Sequence, residues 1–269
     1  MKLNILTLCA VALSIYSLTC EAQDTSGSSG ATPAPEQARG WNLGIGVAAL
    51  SRPYVEENAR ILPLPLAFYE GQRFYLRGQE AGLHLISRDA FTLDATVSAR
   101  LDGIDADDFD RIKLATRGID RNVLEDRKDG VDAGLSARLR TKAGDITASI
   151  RSDVSGASNG HEAALNYSYR LNAGAYTLIP AVGLRYQSSQ LADYYYGTHS
   201  GEVSRGVQPY LPGAYTAPEL SLTLARPFGE KWSFLGSARV SRLPDEVSDS
   251  PLVDGNTNAS IMLSVSRQF

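Results

Sequence analysis

Beyond residue 20 the chain has no cysteine; its two, Cys9 and Cys20, both lie in the first 22 residues. A disulfide-stapled domain and a thiolate-held metal or cluster are therefore excluded for everything that follows. Long apolar runs are missing past Leu18 as well, so no helix can cross a bilayer, and a chain held in a membrane would have to cross it with strands. Histidine is scarce, three in 269 residues, and cationic excess is absent, with 26 Lys and Arg against 30 Asp and Glu. The net charge of −4 gives no footprint for nucleic acid.

What is present begins with MKLNILTLCAVALSIYSLTCEA: one Lys, an apolar stretch from Leu3 to Leu18, and small residues at Cys20 and Ala22. This pattern predicts a secretory signal over 1–22, cleaved after Ala22. A lipidated Cys20 competes with it, but Ser17, Leu18 and Thr19 suit a lipoprotein site poorly. Residues 23–40, rich in Ser, Gly and Pro, read as a flexible periplasmic tether. No shift in composition divides the remainder, so 41–269 is expected to be one domain.

From Ala90 to Leu101 the chain alternates without a break. Phe91, Leu93, Ala95, Val97, Ala99 and Leu101 share one parity, while Thr92, Asp94, Thr96, Ser98 and Arg100 take the other. Successive side chains of a strand point to opposite faces, and the pattern recurs to the C-terminus. Strands are predicted at 41–50, 61–70, 72–78, 81–87, 90–101, 131–141, 145–153, 161–171, 174–190, 215–226, 231–243 and 257–269. Short connections alternate with long ones at 51–60, 102–130, 154–160, 191–214 and 244–256. That alternation is the layout of an all-β, antiparallel, up-and-down transmembrane barrel in the outer membrane of a Gram-negative cell. The apolar parity switches between Phe74 and Leu76 on one side and Leu83 and Leu85 on the other. A turn there gives twelve strands, and a bulge leaves ten or fourteen open. One helix or a partly ordered loop is expected within 102–130.

One face of the predicted wall is apolar and the other collects Arg100, Arg138, Arg140, Arg151, Arg170, Arg185 and Arg239. An Arg against lipid at the midplane costs about 2–4 kcal/mol, so these seven are assigned to the lumen, which is expected to lean basic. Two uses follow: an anion-preferring small-solute channel, or a lumen filled by ion pairs with Asp94, Asp132 and loop acids. Trp41, Tyr69, Tyr194, Tyr195, Tyr196 and Trp232 near strand ends suit an aromatic girdle at the bilayer boundary. Phe269, closing an alternating strand, suits the signal read by the barrel assembly machinery.

No catalytic residue, metal site or cofactor is assigned. His84 is expected in the lumen as a hydrogen-bonded filler, His161 at a strand start, and His199 in an external loop near Ser200 and Asp193. Proximity in sequence does not make a triad. The acidic group Asp102, Asp105, Asp107, Asp108 and Asp110 lacks the Gly and closing Glu of a calcium loop. It reads as a solvated external loop, bridged to lipopolysaccharide by cations.

Residues 41–269 resemble the MipA/OmpV family of outer-membrane proteins. The resemblance rests on Trp41-Asn42-Leu43-Gly44-Ile45-Gly46, Pro53-Tyr54, Leu62-Pro63-Leu64-Pro65 leading to Tyr69, Arg100-Leu101, and Asp132-Ala133-Gly134. It extends to Tyr195-Tyr196-Gly197, Ser250-Pro251-Leu252-Val253 and the terminal Phe269. It implies a non-enzymatic outer-membrane scaffold that joins a lytic transglycosylase to a peptidoglycan synthase.

Overall fold

The computed structural model describes residues 40–55 and 60–269; the expected signal (1–22) and all but the last residue of the tether (23–40) lie outside them. Its strands are β1 (Gly40–Ser51), β2 (Arg60–Glu70), β3 (Phe74–Arg77), β4 (Glu80–Arg88), β5 (Phe91–Arg100), β6 (Gly130–Thr141) and β7 (Gly144–Asp153). Then follow β8, in two collinear pieces (His161–Ser168 and Leu171–Ala173), β9 (Tyr176–Gln187), β10 (Tyr215–Phe228), β11 (Trp232–Arg242) and β12 (Thr257–Gln268). Each strand pairs antiparallel with its sequence neighbours, and β12 returns to β1 from Asn42↔Gln268 to Ser51↔Ala259. The result is a closed barrel of twelve strands.

Two irregularities have local causes. The break in β8 leaves the register with β9 unchanged, from Ala181↔Ser168 to Leu178↔Leu171. Tyr169 donates its N–H to the Pro180 carbonyl at 3.1 Å, but Pro180 has no N–H to return. Between β3 and β4 the chain turns at Gly78, whose φ is +64°, with Arg77 opposite Glu80. A bulge follows between His84 and Ile86. The parity switch therefore has both a turn, which sets the strand count, and a bulge. The Tyr75 ring lies where a Cβ on Gly82 would stand, so only glycine fits there.

The wall sorts its side chains as the alternation predicts. Leu135, Leu139, Leu165, Leu184, Leu220 and Leu222 are exposed on the outside, whereas Asp132, Glu162, Ser168 and Thr223 are buried inside. That inversion of the usual soluble arrangement is what a wall facing hydrocarbon requires.

The long connections fold together over the outer mouth. They carry short helices α1 (Arg111–Thr116), α2 (Ser189–Tyr196), α3 (Ser200–Ser204) and α4 (Asp245–Ser248). Their apolar side chains form one buried core that includes Tyr54, Val55, Phe109, Leu114, Leu191, Tyr195, Val247 and Leu252, and reaches Tyr215 and Ala217 on β10. Segment 102–130 is thus an ordered part of this cap. Ile104, Phe109, Leu114, Ile119 and Leu124 anchor it, and Asp110 caps α1 by accepting from the N–H of Ile112 at 2.8 Å and Lys113 at 3.1 Å.

Tyr194, Tyr195 and Tyr196 correct the girdle expected of them. The Ser188 hydroxyl accepts the Leu191 N–H and starts α2, which carries the three rings into the cap instead of the bilayer boundary. Tyr196 stacks on Tyr54 at 5.5 Å, Tyr54 meets Phe109 edge-on at 5.8 Å, and the Tyr54 hydroxyl donates to the Tyr195 carbonyl at 3.2 Å. Burial pushes the Tyr195 and Tyr196 phenols up, so both stay neutral.

Candidate functional site

The lumen has two chemically distinct walls. Along seven consecutive strands, cation and anion alternate at inward positions: Arg100 on β5, Asp132 on β6, Arg151 on β7, Glu162 on β8, Arg185 on β9, Glu219 on β10 and Arg239 on β11. Arg100 meets Asp132 at 2.5 Å and Glu162 at 3.3 Å. Arg151 and Arg185 reach the same Glu162 at 2.6 and 2.5 Å. Arg185 continues to Glu219 at 2.7 Å, and Arg239 closes the row on Glu219 at 3.3 Å. Asp102, from the cap, adds a contact to Arg100 at 3.0 Å. Four of the seven predicted guanidiniums, Arg100, Arg151, Arg185 and Arg239, thus face four carboxylates in this row.

Glu162 and Glu219 escaped the sequence reading. Both stand on the parity opposite the lipid-facing leucines, Glu162 with Asn166 and Ser168, and Glu219 beside Leu220 and Leu222. That parity was the available signal. Of the other predicted lining residues, Arg138 sends Nε to Thr147 Oγ1 at 3.5 Å and Arg140 donates to the Asp89 carbonyl at 3.4 Å. Arg170 is half-buried on the inward parity near the short turns.

Asp94 was expected to pair with an Arg; it meets His84 Nδ1 at 2.7 Å instead. The other ring nitrogen of His84 contacts Glu70 at 2.9 Å, and Glu70 also holds Arg77 at 3.2 Å. The ring bridges two carboxylates and is a structural filler. His161 packs against Tyr186 with centroids 6.1 Å apart. His199 meets Glu125 at 3.3 Å and the Tyr194 carbonyl at 3.0 Å. Hydrogen bonds from Arg205 and His199 hold the Glu125 carboxyl below its usual range.

The second wall is apolar. Inward positions of β1, β2 and β12 bring Ala48, Leu50, Leu62, Leu64, Leu66 and Met262 into one buried cluster, with Phe68 and Leu235 against it. Glycines at 44 and 46 on β1 allow the backbones and side chains of β2 and β12 to close in, since a Cβ on Gly46 would lie 3.4 Å from Leu66 Cδ1 and 3.0 Å from Ser264 Cβ.

Above both walls, Arg127 and Glu202 form a fully buried pair in the cap at 2.5 Å. Arg127 also donates to the Gly197 carbonyl at 2.9 Å, and Glu202 accepts the backbone N–H groups of Glu125 and His199 at 2.8 Å each. This pair, with the contacts of His199 and Arg205 to Glu125, joins segment 102–130 to α3 and its two ends. At the opposite rim, Trp41 and Tyr69 pack at 5.2 Å, Phe228 stacks on Trp232 at 6.2 Å, and Arg267 lies over the rings of Trp232 and Phe269 at 5.9 and 5.1 Å. Trp41, Trp232 and Phe269 are exposed on the outer face.

The family model described as MltA-interacting protein MipA matches residues 43–269. The MltA-interacting protein of Escherichia coli strain K12 is 31% identical over 230 residues, covering 85% of this chain and 90% of that protein. Outer membrane protein Omp26La of Vibrio anguillarum is 27% identical over 146 residues, 54% of this chain and 57% of that protein. Outer membrane protein OmpV of Vibrio cholerae is 26% identical over 146 residues, with the same coverage, 54% and 57%. Among solved structures, a NanC porin aligns over 84% of this chain and 100% of its own with a TM-score of 0.48 at 10% identity. The chain belongs to the MipA/OmpV family and is an outer-membrane β-barrel protein.

Proposed function

We propose that this barrel is a scaffold that holds a lytic transglycosylase, together with a peptidoglycan synthase, against the inner face of the outer membrane. The observation that carries this reading is the 31% identity across 90% of a relative named for its interaction with MltA. The geometry favours the same side of the membrane. The cap core covers the outer mouth and the ionic wall neutralises itself, so the surface left for a protein partner is the rim of short turns with the segment 23–39. Exposed Arg73, Arg88, Lys142 and Lys231 outnumber Asp89 and Glu230 on that rim, which steers an acidic partner surface toward it. In this reading the barrel is not an enzyme; the bond-breaking chemistry belongs to its partners. Trp41, Tyr69 and Trp232 mark the inner bilayer boundary, and Phe269 presents the terminus to the barrel assembly machinery.

The test is capture of a purified lytic transglycosylase by the full chain in detergent. Retention by the intact protein, lost on deleting 23–39, makes that segment the contact. Retention after the deletion moves the contact to the short turns, and no retention by the intact protein refutes the scaffold. The alternative, a small-solute channel, requires a water path between the two lumen walls, which conductance measures directly.

A further inference from the structure

The apolar wall is incomplete. β3 is four residues long, and it pairs with β2 only at Phe68↔Arg77, Tyr69↔Leu76 and Glu70↔Tyr75. The β3–β4 hairpin ends at Gly78 and Gln79, where Gly78 donates to the Ala67 carbonyl at 3.0 Å and Gln79 accepts from Ala99 at 3.2 Å. Above that point, residues 60–66 of β2 pair with β1 on one side and, among the described residues, with no strand on the other.

An unpaired strand edge in hydrocarbon leaves N–H groups with no acceptor, which membrane barrels avoid. Here the sequence removes the donors. A residue's N–H and C=O point to the same side of an antiparallel strand. The Ala67 carbonyl faces β3, so Pro63 and Pro65, on the same parity, turn their backbone nitrogens to the open edge, where neither has a hydrogen to leave unbonded. Pro65 stands four residues from Tyr69, about 10 Å into a band about 25 Å tall at the usual strand rise and tilt. The gap therefore opens at hydrocarbon depth.

A cavity of about 370 Å³ occupies it, lined by Leu43, Gly44, Leu64, Pro65, Leu66, Ala67, Gly78 and Gln79. Leu43 and Pro65 face outward and are exposed, whereas Leu64 and Leu66 belong to the buried lumen cluster. The cavity thus runs through the wall from the lipid face to the apolar lumen face. Among the described residues no charged side chain lines it, and the one polar side chain there, Gln79, has both terminal amide atoms buried without a hydrogen-bond partner.

We propose that this notch seats one acyl chain of a membrane lipid, with an ester or hydroxyl oxygen of that chain on the Gln79 amide. The occupant follows from access and lining. The cavity opens toward the bilayer, it lacks a counter-charge for an ionic group, and its volume lies at the low end of small-molecule sites, too small for a helix or a strand with side chains. Lipid in the notch also supplies the apolar contact that the missing upper part of β3 would have made with β2.

The experiment reconstitutes the full chain in phosphatidylethanolamine–phosphatidylglycerol vesicles doped with a phospholipid carrying a mid-chain diazirine, and maps photolabelled residues by mass spectrometry. Leu64 and Leu66 are compared with Ala181, which also faces inward but sits on β9, paired on both sides. The expected labelling of Leu64 and Leu66 is about tenfold above that of Ala181, because a fully paired wall excludes lipid. Equal labelling overturns the proposal. Ala67→Phe, confirmed as folded by its shift on gels after boiling, fills the notch and should bring Leu64 and Leu66 down to the β9 level while outward-facing Ile61 stays labelled. Labelling that survives this substitution also overturns it. Gln79→Leu should lower labelling severalfold, and unchanged labelling removes the amide from the site. None of these outcomes depends on whether the barrel captures a transglycosylase.

Discussion

The two walls of the lumen are held by different physics. From β5 to β11 the interior carries a row of charges in which Arg100, Arg151, Arg185 and Arg239 each have a carboxylate and Glu162 and Glu219 are shared. From β12 through β1 to β2, among the described residues, its middle is the apolar cluster of Ala48, Leu50, Leu62, Leu64, Leu66 and Met262, with the charge of Glu70 at its inner end and a strand edge without a partner above. In the first wall each ion depends on its neighbours, because a charge in a low-dielectric interior is tolerable only while its partners stand. In the second, contacts are many, small and interchangeable, and the wall can leave a gap that hydrocarbon fills. The ionic wall fixes strand register around more than half of the barrel, and the apolar wall is where the barrel can admit lipid.

Substitutions that remove one member of each wall break this comparison. Glu162→Ala leaves Arg100, Arg151 and Arg185 converging on an empty site, and loss of one partner of a buried ionic group costs about 3–5 kcal/mol. Its folded form should revert to the slow-migrating band at a markedly lower temperature in a gel-shift melt. Leu64→Ala removes apolar volume next to the notch, where the surroundings can partly fill the space, and is expected at the low end of the core range, about 2–3 kcal/mol. A Leu64→Ala melt that drops as far as that of Glu162→Ala would put both walls on the same footing.

The cap supplies a smaller contrast. Asp254 lies in a loop, bonded to Lys113 at 2.9 Å and Arg117 at 2.8 Å, and its carboxyl is held below the usual range by the Lys113 hydrogen bond first, against some opposing burial. A carboxyl depressed on folding contributes stability above its unfolded pKa and loses it as pH falls through the folded value. Asp254→Asn should therefore shift the melt slightly at neutral pH and not at all in strong acid. An equal shift at both pH values would assign the effect to packing. The pair is exposed, so this is the smallest of the expected changes.

Which parts of this were legible in sequence follows from range. Parity is local, so the lipid face, the lumen face, eleven of the twelve strand positions and the seven inward arginines follow from two-residue periodicity alone. The turn at Gly78 was one of two readings, and the structure contains the other as well, since the bulge sits at Leu85. The cap was not legible, because its core joins residues from Tyr54 to Val253 that meet only after the barrel closes. Three successive tyrosines beside a strand end look like a girdle until Ser188 starts a helix under them. Of the anions in the ionic wall, Asp132 is legible from parity, whereas Glu162 and Glu219 meet arginines on other strands that only barrel closure brings to them. β3 was expected at 72–78 and is shorter, and its early end is what exposes Pro63 and Pro65.

The charges in the row from Arg100 to Arg239 are spent on one another, and single-channel recording in planar bilayers tests this most directly. The intact protein should give no reproducible anion-selective steps, because Arg100, Arg151, Arg185 and Arg239 are already neutralised. Steady anion-selective openings that weaken when Arg138 and Arg185 are replaced by Ala would contradict it.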